Sequence, residues 1–186
     1  MRGHATRTYQ FILLGLIRPA PRYGYELYKQ LAEEAGIGLV WRAGRSNLYA
    51  LLAKMETDGL VSATEEPGEG KAPRVRYAIT PQGERAFLEW LRVPVERGRD
   101  MRQDFLARLF FALQDGTETA LALIDRQLEV STRRLESARD LSSTLGPSDL
   151  FERLALDFRV EQTESELRWL ADSRNAILTA QNVRHD

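Results

Sequence analysis

Cysteine is absent from the 186-residue chain, and histidine occurs only as His4 and His185, close to the two ends. A chain without cysteine cannot form a disulfide, a thiolate zinc site or a cysteine nucleophile. Histidines near the termini are poorly placed to act as a general base, and no nucleophile elbow, phosphate loop or metal-ligand spacing occurs. The sequence therefore predicts a protein that is not an enzyme and needs no cofactor or metal, in a reducing, cytoplasmic setting.

Long apolar segments are also missing. The longest apolar run, residues 11–17, has seven residues, whereas a membrane-spanning helix needs about 18. This run has no small-residue cleavage site and continues into a charged helix, so we expect neither a membrane span nor a secretory signal. Hydrophobic residues make up 43% of the chain and charged residues 28%, which is typical of a folded globular protein.

The first half of the chain has the periodicity of three helices followed by a hairpin and a fourth helix. The predicted helices cover about 9–18, 23–35 and 44–56, and the predicted strands cover 60–64 and 74–80. Between the strands, residues 67–73 are turn-rich and predict a long, basic-tipped loop. Thr80 is the expected N-cap of the fourth helix, and Pro81 suits its first turn.

From about Arg99 onward the chain is expected to be helical. One helix has apolar and small residues at strict 3-4 spacing, as in a coiled-coil seam, at Leu121, Ile124, Leu128, Ser131, Leu135, Ala138, Ser142 and Leu145. The last helix is apolar on more than one side, which implies a further packing partner. The predicted fold is mainly α with a small β-wing: a winged helix-turn-helix domain at 1–97 and an all-helical dimerisation domain at 98–186. Whether the helical arms swap between chains stays open.

A winged helix-turn-helix offers the polar side of its third helix to the DNA major groove. The buried stripe predicted for this helix leaves polar groups on its other side and leading end, and the wing adds basic residues. The DNA-binding candidates are Arg45, Ser46, Asn47, Tyr49, Lys54, Lys71, Arg74 and Arg76. Arginine can read guanine, asparagine can read adenine, and hydroxyl groups can contact phosphates. These residue types therefore predict binding to double-stranded DNA.

The formal net charge of −1 hides an uneven distribution. Residues 1–97 hold 14 basic and 11 acidic residues, a net of +3, whereas 98–186 hold 12 and 16, a net of −4. Each candidate also has a structural interpretation, because basic residues often form solvated faces or protect hairpin edges, and Tyr49 can pack partly into a core. The DNA interpretation depends on all of them occurring together in the correct order.

Five segments of the chain, taken in order, closely resemble the PadR family of transcriptional regulators. They are residues 11–17, 23–27, 45–52, 55–61 and 74–83. The resemblance covers about residues 8–92 and implies a homodimer built by C-terminal helices, which represses transcription from an inverted-repeat operator. By position, Tyr49 matches the recognition-helix tyrosine of the family, and Lys71, Arg74 and Arg76 match its wing. Tyr23 departs from the family, whose members commonly place histidine there.

Some proteins that resemble this one respond to phenolic acids or bulky aromatic drugs. The candidates for contacting a small aromatic or hydrophobic effector are Trp90, Phe105, Phe158 and Trp169. Aromatic residues at helical spacing are more often core residues, so both interpretations remain. The alternative to a DNA-binding regulator is a winged-helix adaptor that contacts protein only, because a fold does not dictate a function.

Overall fold

The computed structural model describes residues 2–42, 44–68, 71–146 and 148–182, with side chains from 6–42, 44–67, 74–146 and 148–181. The elements in order are α1 (Arg2–Ile17), β1 (Arg22–Tyr23), α2 (Gly24–Ala32), α3 (Arg45–Thr57), β2 (Val61–Gly68), β3 (Lys71–Ile79), α4 (Pro81–Arg92), α5 (Leu106–Asp115), α6 (Thr117–Ser143) and α7 (Leu150–Asn182). A 3-10 turn follows α2, and a 3-10 turn and a π turn precede α5. None of the described helices has the length and apolar character needed to cross a membrane.

The chain divides into two compact units. The first contains the residues up to Leu91 together with Leu106–Phe111, and the second contains Arg92–Phe105 and the residues from Ala112 onward. The sequence-based boundary at residue 97 therefore lies a few residues after the structural one. It also misses the start of α5, which joins the first unit because Phe111 packs against Gly15 and Phe87.

The first unit confirms the predicted order of helices and wing. Leu48, Leu51, Leu52 and Met55 are all buried, as the periodicity of α3 indicates. The helix ends where Gly59 takes a φ of +72°, a conformation that favours glycine. At α4 the predicted cap is confirmed, since the Thr80 hydroxyl accepts a hydrogen bond from the Gly83 backbone N–H at 3.0 Å.

Two helix limits differ from the prediction. Helix α1 begins at Arg2 rather than near residue 9, because its first residues have no apolar periodicity by which to recognise a helix. Helix α2 ends at Ala32 rather than residue 35, because the chain turns into a 3-10 turn that starts at Gly36, where φ is +53°.

The wing is larger than predicted. It has three antiparallel strands in the order β1-β3-β2. Gly68 pairs with Lys71, so the prediction of a long loop at 67–73 was wrong. The register shifts between Glu66 and Gly68, where Pro67 has no N–H to donate to the ladder. An irregularity of this kind lets a strand continue past a proline, and turn-rich composition does not reveal it.

The second unit is built on α6 and α7, which run antiparallel. Arg174 donates to Asp125 at 2.7 Å, and Arg139 donates to Glu164 at 2.7 Å. The fully buried Gln127 joins α6 to the segment after α4, because its amide exchanges hydrogen bonds with the Val95 backbone at 2.8 and 3.0 Å.

The seam predicted on α6 is only partly buried. Ile124, Ser131 and Leu135 are buried, whereas the other members are only partly buried: Leu121, Leu128, Ala138, Ser142 and Leu145. Instead of a regular 3-4 repeat of apolar residues, the buried set includes the polar side chain of Gln127. A polar residue in this position escapes a search for apolar periodicity.

Candidate DNA interface

The exposed side of α3 has the character expected of a groove-reading surface. Arg45, Ser46 and Asn47 form its first turn and are all exposed. Further along, Ala50 and Ala53 lie opposite the buried stripe, so the middle of the surface is formed by small side chains. Small residues in the middle and polar ones at the leading end allow the backbone of a helix to approach base edges closely.

Tyr49 is partly packed and partly accessible to solvent. Its side chain is 37% exposed, and its ring packs on the first residue of α2, Gly24. A Cβ at Gly24 would lie 2.6 Å from Cε1 of the ring and 3.3 Å from its hydroxyl oxygen, so any larger residue there would force the ring to move. The Arg45 guanidinium carbon lies 6.0 Å from the centre of the Tyr49 ring. Gly24 and Arg45 therefore both lie close to the ring of Tyr49 and restrict its position.

Lys54 lies on the same helix and is paired within it. Its Nζ is 2.8 Å from Oδ2 of Asp58, four residues further along, and the lysine side chain is 61% exposed. An exposed pair of this kind contributes little to stability, because water and salt screen it. Lys54 is therefore accessible, but it has to leave a carboxylate before it can bind a phosphate.

In the wing, Arg76 belongs to a cluster with Tyr23 and Glu66. Its guanidinium carbon lies 5.7 Å from the centre of the Tyr23 ring, and its Nη1 is 3.4 Å from Oε1 of Glu66. The Tyr23 hydroxyl donates a short hydrogen bond to the other oxygen of Glu66. The cluster thus joins β1, β2 and β3 by side chains as well as by backbone pairing.

Ionisation in this cluster follows from its hydrogen bonds. The bond from Tyr23, followed by the one from Arg76, lowers the pKa of Glu66 below its usual value. The same bond, together with the negative charge of Glu66, raises the pKa of Tyr23. At neutral pH the carboxylate is therefore ionised and the phenol keeps its proton, which is the state that this hydrogen bond requires.

The other two wing candidates are Arg74 and Lys71. Arg74 is exposed and lies opposite Glu66 in the register of β2 and β3. Lys71 pairs through its backbone with Gly68, but its side chain lies outside the described residues.

Three residues that hold this surface together were missed by sequence reasoning. Gly24 positions Tyr49, and Glu66 and Tyr23 position Arg76. The glycine stands in the segment 23–27 that carries the resemblance, so its position was visible in the sequence although its role was not. The contact between Tyr23 and Glu66 spans 43 positions, so local periodicity contains no signal for it.

The four aromatic effector candidates fall into separate environments. Trp90 is buried in the first unit, where it stacks on Phe11 with ring centres 5.1 Å apart. In the second unit, Phe105 is fully buried and meets Trp169 edge to face at 6.1 Å, whereas Phe158 is 66% exposed. Trp90 and Phe105 thus have the core role that aromatic spacing usually indicates.

Comparison with known proteins accounts for both units. The family model described as transcriptional regulator PadR-like family matches residues 13–89, which include every DNA-binding candidate. Residues 13–89 therefore form a PadR-like transcriptional regulator domain. A second model, described as virulence activator alpha C-term, matches residues 101–177.

The relatives are transcriptional regulators rather than enzymes, as the sequence predicts. The negative transcriptional regulator PadR of Bacillus subtilis is 22% identical over 173 residues, which cover 88% of this chain and 94% of that protein. A "probable transcriptional regulator" of Mycobacterium tuberculosis is 25% identical and covers 89% of this chain and 95% of its own length. Among solved structures, Bacillus subtilis PadR in complex with operator DNA is 22% identical, with a TM-score of 0.47 over 91% of this chain and 98% of the other.

Proposed function

We propose that this PadR-like regulator binds an inverted-repeat operator as a homodimer and represses transcription. The observation that carries the proposal is the exposed side of α3, where a polar leading turn precedes Ala50 and Ala53 beside a wing with basic side chains. The third helix would enter the major groove, and the wing would follow the neighbouring backbone. Repression is supported by the relative from Bacillus subtilis, which is described as a negative regulator.

Within this proposal, position on the helix decides the role of each residue. Arg45 and Asn47 lie at the leading end of α3 and are the best candidates for base contacts. Tyr49 and Ser46 offer hydroxyl groups to phosphates. Lys54, in the last turn of α3, contacts the backbone, as do the wing arginines.

The homodimer is proposed from an apolar stripe on α7. Leu150, Phe151, Leu154 and Phe158 are 64%, 78%, 59% and 66% exposed, and at 100° per residue they lie within one side of the helix. Isolated exposed apolar residues are ordinary, but four on one side of three turns mark an interaction surface. A second copy of the chain is the simplest occupant, because two-fold symmetry of the protein matches an inverted repeat in the DNA.

Release by a small aromatic or hydrophobic effector belongs to the same proposal. In the second unit, the contact between Phe105 and the 40% exposed Trp169 is where such a molecule would find an accessible aromatic surface. Tryptophan fluorescence with and without candidate aromatic compounds would test this, with Trp169→Phe as the variant in which a local response disappears.

The DNA proposal is tested by fluorescence anisotropy on duplex DNA from the region upstream of the gene, over a series of salt concentrations. The double variant Arg45→Ala/Tyr49→Ala should lose sequence-preferring binding, whereas Arg133→Ala, an exposed arginine of α6, should retain it. Equal, weak binding of specific and scrambled DNA by wild type and variant would contradict this operator and this reading helix. If a genome-wide pull-down also found no preferred site, the protein-only adaptor would become the better explanation.

The oligomeric state is tested separately by analytical ultracentrifugation. Phe151→Glu/Phe158→Glu places two charges on the apolar stripe and should convert dimer to monomer, because buried unpaired charges are costly. Glu152→Lys, on the same helix turn but outside the stripe, is the matched control. A wild-type protein that sediments as a monomer at micromolar concentration would refute the homodimer without affecting the assignment of the reading helix.

A further inference from the structure

A cavity of about 530 Å³ lies inside the second unit, between the segment after α4 and the helices α6 and α7. Its size falls within the range of small-molecule sites. None of the four aromatic effector candidates lines it, so the cavity is distinct from the effector surface considered above.

The lining of this cavity is strongly basic. It contains Arg97, Arg99, Arg134 and Arg159 against a single carboxylate, Glu96, which gives a net charge of +3. The second unit as a whole has 13 basic and 17 acidic residues, a net charge of −4, so positive charge is concentrated at the cavity against the balance of the unit. A concave surface lined by charges of one sign attracts counterions of the other sign.

Not all of this positive charge is compensated by neighbouring carboxylates. Nη2 of Arg134 is 2.6 Å from Oε2 of Glu166, and Nε of Arg99 lies 3.9 Å from Oδ1 of Asp100. Nη1 of Arg134, however, is buried without a hydrogen-bond partner among the described residues. A buried donor of this kind costs free energy unless a ligand or water binds it.

The two remaining arginines, Arg97 and Arg159, are exposed and form no ion pair within the described part of the chain. Guanidinium groups bind carboxylates and phosphates through two parallel hydrogen bonds, which lysine cannot do. Besides these polar groups, the lining includes Ala138, Leu141 and Leu156, which provide apolar surface. The cavity therefore combines several anion-binding groups with room for an apolar body.

We propose that this cavity binds a small organic dianion, a phosphate monoester or a dicarboxylate, with its apolar part against α6 and α7. Arg97 and Arg159 hold the anionic group, Arg134 adds positive charge in the wall, and Leu141 and Leu156 contact the apolar part. Binding of the dianion does not depend on DNA. Regulation of operator binding by this ligand rests on the proposed function.

Isothermal titration calorimetry on the full chain tests the proposal with five probes: phenyl phosphate, phthalate, benzoate, phenol and inorganic phosphate. Phenyl phosphate or phthalate should bind at least about tenfold more tightly than benzoate, since each charge-assisted hydrogen bond is worth about a factor of ten. Phenol should not bind. Binding of phenyl phosphate alone would assign a phosphate, and binding of phthalate alone would assign a dicarboxylate. Inorganic phosphate binding as tightly as phenyl phosphate would overturn the contribution of the apolar surface.

Arg159→Gln and Arg97→Gln should each weaken binding of the dianion by about tenfold or more, because each removes one cationic hydrogen-bonding group. Arg168→Gln, an exposed arginine of α7 outside the cavity, is the control and should leave Kd within about twofold. Thermal unfolding confirms that the variants fold. Equal affinity of all three variants, or no binding of either dianion to folded wild type at millimolar concentration, would refute the site. DNA anisotropy with the bound probe then tests regulation, and its failure leaves the calorimetric result intact.

Discussion

Replacing Gly24 by alanine should weaken DNA binding more than it weakens folding. The new Cβ would lie 2.6 Å from Cε1 of Tyr49, whereas carbon atoms in contact normally lie about 3.5–4.0 Å apart. The ring must therefore retreat by roughly 1 Å. Because Tyr49 is 37% exposed, it can swing toward solvent instead of forcing the backbone apart.

The expected loss of folding stability is smaller than the expected loss of DNA affinity. The overpacking cost is at the low end of the usual range, and alanine suits a helix better than glycine, so stability should change by no more than about 1 kcal/mol. A hydroxyl that moves by about 1 Å no longer reaches a phosphate oxygen, because hydrogen bonds weaken steeply beyond about 3.5 Å. A bond to a charged group is worth about 1.5–3 kcal/mol, so DNA affinity should fall by at least about tenfold.

The assay combines urea unfolding with DNA anisotropy for Gly24→Ala, Tyr49→Phe and the double variant. If the glycine acts only by positioning the tyrosine hydroxyl, Gly24→Ala should cost little further affinity in the Tyr49→Phe background. Gly15→Ala is the contrasting control: its Cβ would lie 2.5 Å from the buried Phe111 ring, so it should lower stability instead. Additive losses of DNA affinity in the double variant would refute the positioning argument.

Three further outcomes are expected. Lys54→Ala should weaken binding to specific and non-specific DNA alike and reduce the slope of log affinity against log salt by about 1, with stability unchanged within about 0.5 kcal/mol. Tyr23→Phe should lower the urea midpoint at pH 7. Because the pKa of Glu66 is depressed in the folded state, its contribution is present above the ordinary glutamate pKa and is lost as pH falls through the lowered value; the difference between Tyr23→Phe and wild type should disappear below that value. Gln127→Leu should cost at least about 2 kcal/mol in urea unfolding, because it leaves the buried backbone N–H and C=O of Val95 unpaired, whereas an exposed glutamine changed to leucine should cost little. A pH-independent effect of Tyr23→Phe, or a neutral Gln127→Leu, would contradict these arguments.

Local sequence patterns predict an element well when the periodicity of that single helix or strand determines which of its residues are buried. Leu48, Leu52 and Met55 recur at helical spacing, and one amphipathic helix has to bury them together, so the exposed side of α3 follows by subtraction. Thr80 followed by proline marks the start of α4, because the cap and the proline lie next to each other in the sequence. The order of elements then indicates the winged helix because few folds place a hairpin after three helices.

Features that depend on distant partners were not predictable. The two-residue strand β1 exists only because Arg22 and Tyr23 pair with β3, more than 50 positions away. Likewise, Gln127 in the middle of α6 looks like a surface residue until the Val95 backbone is placed beside it. The basic cavity has the same origin, since its arginines come from three separate segments of the chain. Periodicity describes each segment alone, whereas these contacts exist only after the segments meet.

The internal pairing of the interface cations bears on how strongly the protein would bind the backbone of any DNA. Lys54 is held by Asp58 and Arg76 by Glu66, so each must exchange a carboxylate for a phosphate on binding. This exchange contributes less binding free energy than the formation of a new ion pair would. Each displaced carboxylate is also left close to the negatively charged DNA backbone. Both costs apply to every DNA sequence and therefore reduce specific and non-specific affinity alike. Arg45, at the leading turn of α3, forms no such ion pair among the described residues, so specific contacts there keep their full value. Removing the restraint by Asp58→Asn should therefore raise affinity for operator and scrambled DNA by a similar factor and leave their ratio unchanged. Unchanged affinity for scrambled DNA in the same anisotropy titrations would exclude this role.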